Sequence, residues 1–200
     1  MTGGIWMLAA AVAVLILLSA FFSGSETSLT AISRARVHRM AQNGDRRAMI
    51  LEALLSAPER LIGAILLGNN LVNILASALA TTLFIELFGA AGVVWATLVM
   101  TALVLVFGEV MPKTYAILNP DRFALAVAPV INVVVRVFAP VVMVVEMLVR
   151  GALRLLGADT SQAQSPLSFR EELRGALDLH HSRGEVVKKD RDMLGGVLDL

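Results

Sequence analysis

Leu103-Val104-Leu105-Val106-Phe107-Gly108-Glu109-Val110-Met111-Pro112-Lys113 places a carboxylate and an ammonium inside one of the most apolar stretches of the chain. A charge at membrane depth costs about 3 kcal/mol on insertion scales, so an intramembrane carboxylate marks a candidate functional site. Pro112 adds to the signal. In a regular α-helix the carbonyl four residues before a proline, here that of Gly108, is left without a donor. The stretch thus offers a freed backbone oxygen beside a carboxylate, the donor types that hard cations such as Mg²⁺ and Na⁺ prefer.

Composition identifies lipid as the solvent. Hydrophobic residues make up 57% of the sequence and charged residues 16%, against roughly 45 to 50% and 25% in a soluble domain. Residues 1 to 33 carry one charged side chain, Glu26, and residues 61 to 108 carry only Glu86, whereas the stretch between them and the last fifty residues are rich in both signs. The net charge of +1 gives no reason to expect a nucleic-acid partner. With no cysteine in the chain, disulfides and thiolate sites are excluded, leaving oxygen and imidazole as ligands.

Three segments are long enough for a hydrocarbon core that needs about 20 helical residues. They run from about 5 to 31, 61 to 88 and 92 to 118, and form a transmembrane core over residues 1–122. The first has no basic leader and no small-residue cleavage site, so it reads as a retained span. Arg34, Arg36, Arg39, Arg46, Arg47 and Arg60 lie between the first two spans. Their excess places that loop in the cytoplasm and the N-terminus outside. Residues 123–157 read as a juxtamembrane or re-entrant helical segment, interrupted by Pro129 and Pro140, with Pro140 as a hinge. A fourth crossing is the alternative, but it would carry Arg150, Arg154 and the charged C-terminal region outside, against the basic-residue rule. Residues 158–200 read as a cytoplasmic linker and connector helices. The fold class is an all-α membrane protein.

Two further polar clusters interrupt the spans. Ser19 and then Phe21-Phe22-Ser23-Gly24-Ser25-Glu26-Thr27-Ser28 form a hydroxyl patch around a glycine, read either as cation ligands or as a helix leaving the membrane with Glu26 among headgroups. Gly68-Asn69-Asn70-Leu71-Val72-Asn73 opens the second span. Asn69 and Asn73 share a helical face, and Asn70 lies about 100° away. These amides read either as ligands or as interhelical hydrogen bonds. Ser23, Asn70 and Glu109 all fall in the inner half of their spans, so hydroxyl, amide, carbonyl and carboxylate oxygens can meet at one depth. Lys113, one turn beyond Glu109, reads as a salt-bridge partner, a snorkelling anchor or a compensating charge for the empty site.

FFSGSET at 21–27, GNNLVNI at 68–74 and GEVMPKT at 108–114 together resemble the membrane module of the CorC/cyclin M (CNNM) magnesium transporters. The resemblance covers residues 5 to 157. The final GEVVKKDRDMLGGVLDL resembles the connector before that family's paired nucleotide-binding CBS domains, which this sequence lacks. It implies a homodimer in the cell's inner (plasma) membrane that exports Mg²⁺, coupled to Na⁺ entry, by alternating access. Carried onto this chain, it implies metal ligation by Ser23, Asn70, Gly108 and Glu109. Ser19, Ser25, Glu26, Asn69, Asn73 and Lys113 stand as additional ligands or supporting groups, and Gly24, Pro112 and Pro140 as helix breaks used in gating. A non-transporting scaffold or Mg²⁺-sensing receptor module, with Glu109 and Lys113 as a structural pair, is the alternative. Enzyme chemistry is not expected, since His38, His180 and His181 all fall in wet segments and the spans hold no nucleophile and base pair.

Overall fold

The computed structural model describes residues 2–155. The expected linker and connector helices at 158–200 lie outside the described residues. By contacts the chain forms two units, Met1–Val145 and Glu146–Leu200. Among the described residues all regular structure is helical. The order is α1 (Thr2–Ala31), α2 (Arg34–Gln42), α3 (Arg46–Leu55), α4 (Pro58–Phe88), a 3-10 turn (Gly89–Ala91), α5 (Gly92–Leu103), a π-helical segment (Val104–Val110), α6 (Met111–Leu118) and α7 (Pro120–Leu155). Three stretches are long and apolar enough to cross a membrane: Gly3–Ala31, Pro58–Leu118 and Pro120–Ala152. The second folds back at Gly89, whose φ of 62° takes the left-handed turn, and so supplies two antiparallel passes.

Large side chains point outward and small ones inward, the pattern of a bundle solvated by lipid. Leu17, Ile74, Leu98 and Val133 are exposed, whereas Ala64, Ala76, Ala80, Ala96 and Ala116 are buried. Without a hydrophobic drive between helices in lipid, close approach comes from small residues. A Cβ on Gly68 would stand 2.6 Å from the Phe22 ring, and one on Gly92 would stand 2.2 Å from the Phe84 carbonyl oxygen. α1 packs against α4, the π segment and α6, and α4 packs against α5. Four consecutive residues, Phe22 to Ser25, are buried. At about 100° per residue they span most of the helix circumference, so α1 is enclosed at this level.

At the arginine-rich end α2 and α3 form a hairpin that turns at Gly44 (φ 87°). Asp45 caps α3 by accepting from the Arg47 and Ala48 amides at 2.8 and 3.4 Å. Val37, Leu51 and Leu54 of the hairpin join Leu29, Ile32, Leu61 and Ile65 in one apolar cluster with Ala124, Val127, Ala128 and Ile131 of α7. A second cluster nearer the opposite end holds Val12, Ala76, Ala80 and Met100. No α7 residue is among its buried members.

α7 departs from expectation. It runs as one helix through Pro129 and Pro140, so Pro140 is not a turn. A proline inside a helix removes one hydrogen bond and bends the axis, and packing along the neighbouring turns can hold the helix together. Gly24 likewise does not break α1. Its bare Cα receives the Phe123 ring, 2.7 Å from where a Cβ would stand, so it is a packing notch. At the other end of the unit's share of α7, Val142 lies 3.0 Å from the corresponding point on Gly63. Gly24 and Gly63 are each about 8 to 10 Å from the arginine-rich end of their helices, whereas Phe123 and Val142 are about 28 Å apart along α7. Contacts so widely spaced on α7 meet the bundle at one level, so between them α7 runs across α1 and α4 and not alongside them.

Candidate cation site

Three helices meet at Ser19, Asn69 and Gly108. The Ser19 hydroxyl donates to Asn69 Oδ1 at 3.3 Å. A Cβ on Gly108 would lie 2.9 Å from the same Ser19 oxygen. Glycine at 108 therefore lets the π segment close onto the serine face of α1. Ser23, one turn from Ser19, is fully buried, and its hydroxyl oxygen has no hydrogen-bond partner. One turn from Asn69 on the same face, Asn73 Oδ1 is also buried without a partner. Leaving such a group unpaired costs about 1 to 3 kcal/mol.

The remaining hydroxyls of the patch are differently employed. Ser25 donates to the Phe21 carbonyl at 2.6 Å, Thr27 to that of Ser23 at 3.1 Å and Ser28 to that of Ser25 at 3.1 Å. These bonds satisfy the hydroxyl protons within α1 itself. Ser19 and Ser23 differ: one reaches across to α4 and the other has no such bond.

Glu109 lines a cavity of about 390 Å³ with Asn73, Ser77, Thr81, Thr97 and Thr101. A Glu109–Lys113 salt bridge, one of the three readings of Lys113, does not form, and neither residue makes an ion pair with any described residue. Glu26 belongs elsewhere. It lines a separate cavity of about 180 Å³ at the arginine-rich end, with Thr30, Arg34 and apolar side chains. No three His, Asp or Glu side chains come together among the described residues. The charge beside Asn73 thus rests on Glu109.

Asn70 is turned to the exposed side of α4. The amide that reaches the serine is that of Asn69, one residue earlier, because a single residue rotates the side chain by about 100°. Pro112 also acts differently from a proline in a plain α-helix. The Met111 amide bonds to the Val106 carbonyl, five residues back. In that register the carbonyl left without a donor by Pro112 is that of Phe107, whereas in the α register it is that of Gly108, and Pro112 sits where one register gives way to the other. Sequence reasoning named Gly108 alone and missed Phe107. It also missed Ser77, Thr81, Thr97 and Thr101, although Asn73, Ser77 and Thr81 are spaced four apart as one helical face requires.

Residues 10–191 match the family described as the cyclin M transmembrane N-terminal domain, CNNM. The chain belongs to the CNNM family. It is 43% identical to the UPF0053 inner membrane protein YfjD of Escherichia coli over 183 residues, which cover 92% of this chain and 42% of that protein. A UPF0053 protein of Haemophilus influenzae is 33% identical over 94% of this chain and 44% of its own length. A chloroplastic DUF21 domain-containing protein of Arabidopsis thaliana is 34% identical over 94% of this chain and 28% of its own length. The CNNM chain described here spans less than half the length of these relatives.

Proposed function

We propose that this chain is the membrane module of a magnesium transporter, exporting Mg²⁺ coupled to Na⁺ entry. The observation that carries the reading is the pair of buried oxygens without partners, Ser23 Oγ and Asn73 Oδ1, flanking the Ser19–Asn69–Gly108 contact next to an unpaired Glu109. A cation held at this contact would relieve whichever flanking oxygen it meets and balance the carboxylate. Ser23 and Asn73 lie about one helical turn to either side of the Ser19–Asn69 level on antiparallel helices, so one ion does not reach both. Mg²⁺ suits fixed oxygen donors in a small space and keeps some of its water. In this reading the ligands come from Ser23, Glu109 and the Gly108 carbonyl, with an amide of the asparagine helix, and Asn69 fits better than the exposed Asn70.

A single carboxylate leaves the occupied site positive, which favours release and fits transport better than storage. Alternating access would open the site first to the arginine-rich side, the cytoplasm by the basic-residue rule, and then to the other. α7 would lie at the inner leaflet. The remaining length of the relatives leaves room for cytoplasmic CBS domains beyond Leu200, and a homodimer completes the proposal.

Melting the purified protein in a Mg²⁺ series tests the site. Ligand at ten times its Kd stabilises by about 1.4 kcal/mol. That shift should be present in the wild type and absent in Glu109→Gln, which keeps shape and removes charge. Mg²⁺ efflux from proteoliposomes should fall with it, at least about tenfold. A flat melting response in the wild type would favour a scaffold.

A further inference from the structure

The cavity beside Glu109 is an open groove that extends well past the carboxylate, with Ser77, Thr97 and Thr101 exposed along it. Asn73, Ser77 and Thr81 line it from α4, and Thr97, Thr101 and Glu109 line it from the opposite pass. Successive α4 positions are four residues apart, about 6 Å of rise each, so the polar lining forms a ladder from Glu109 toward the Gly89 turn. The chemistry of the rungs is one-sided. Thr81 donates to the Ser77 carbonyl at 2.8 Å, Thr97 to that of Val93 at 2.9 Å and Thr101 to that of Thr97 at 2.7 Å. Those three threonine protons are committed to their own helices, so what the threonines offer the groove is oxygen lone pairs. Asn73 Oδ1 adds a buried acceptor without a donor, and Glu109 adds a charge.

From these groups we infer that the groove between α4 and α5 is a cation pathway connecting Glu109 with the Gly89 end of the bundle. It takes a metal cation that keeps part of its water, since acceptors a helical turn apart cannot form a closed shell. Threonine oxygens whose protons are already bonded, together with the Glu109 charge, favour cations over anions, and a volume of about 390 Å³ leaves room for water beside the ion. Thr82 shows that back-bonding alone does not make a rung. It donates to the Ala78 carbonyl at 3.2 Å yet is not part of the cavity lining. The inference rests on the transport reading and adds to it the route on the far side of the site. The same chemistry suits Mg²⁺ leaving and Na⁺ arriving.

Thr97→Val combined with Thr101→Val removes lone pairs while keeping shape, and the internal bonds lost are local. The protein carrying both changes is reconstituted in proteoliposomes and compared with wild type and with Thr82→Val. We expect Mg²⁺-dependent melting to be unchanged and Mg²⁺ efflux to fall several-fold, with Thr82→Val behaving as wild type. If the Na⁺ concentration for half-maximal efflux rises as well, Na⁺ uses the groove. If it does not move, the groove carries Mg²⁺. Unchanged efflux, an equal loss in Thr82→Val, or loss of the Mg²⁺ melting shift in the double variant would each overturn the pathway. A wild type that Mg²⁺ does not stabilise overturns the transport reading itself, a separate result.

Discussion

Gly108 leaves no room for a methyl group facing Ser19: a Cβ there would stand 2.9 Å from the serine hydroxyl. The serine cannot swing freely, because its oxygen is bonded to Asn69. Gly108→Ala should therefore push α1 and the π segment apart, costing about 1 to 3 kcal/mol as overpacked interiors do. Adding Ser19→Ala should recover part of the loss, since the atoms next nearest the new methyl lie at 3.5 Å. Thermal melting of the two single variants and the double measures the coupling. Strictly additive losses would contradict the contact.

The asparagines should separate by face. Asn69→Ala removes the acceptor for Ser19, and Asn73→Ala removes a buried carbonyl from the cavity. Both should shrink Mg²⁺-dependent stabilisation. Asn70→Ala, on the exposed side, should leave it close to wild type. The measurement is the melting shift at fixed Mg²⁺, and the reverse ranking would place the ligand on the other face of α4.

Gly68→Ala sets a methyl 2.6 Å from the Phe22 ring. An aromatic ring held between helices yields little, so the expected loss is about 1 to 3 kcal/mol. Phe22→Leu should relieve it. Gly4→Ala meets nothing within 4 Å and should be neutral to slightly stabilising, which chemical denaturation in detergent can check.

Pro112→Ala restores an amide donor at the point where the π segment hands over to α6. A regular α-helix then competes with the π register and would rotate Glu109 relative to Asn73. The expected result is an unliganded protein at least as stable as wild type but with a smaller Mg²⁺ melting shift. An unaltered shift would mean that the π register does not depend on the proline.

Arg36 pairs with Asp121, joining α2 to the start of α7. Both side chains reach solvent, at 55% and 30% exposure. An exposed pair is worth about 1 kcal/mol or less, so Arg36→Ala should lower stability only slightly, and the difference should disappear in high salt.

Much of this arrangement was legible before any coordinates. Apolar run lengths located the helices from about residue 5, 61 and 92, and the hydroxyl, amide and acidic clusters announced themselves as polar groups out of place. What sequence could not supply was rotation. Whether Asn69 or Asn70 faces α1 depends on packing at Gly68 and Phe22, and the π segment alters the phase of every residue after Val104. Pro140 reads as a hinge by local preference, and the helix persists because contacts such as Val142 on Gly63 outweigh that preference. Gly24 reads as a helix break by local preference, and in the structure α1 continues through it with the Phe123 ring filling its place.

The serines of α1 set an order on biosynthesis. α1 is made before α4 and the π segment exist, so its hydroxyls have no partner helix at that stage. Ser25 and Ser28 already satisfy their protons internally. Ser19 finds its acceptor only when Asn69 arrives, and the Gly108 face that covers it is synthesised later still. The contacts that set the rotation of α1 therefore come from segments made after it, Asn69 and Gly68 first, Gly108 next and Phe123 of α7 after both.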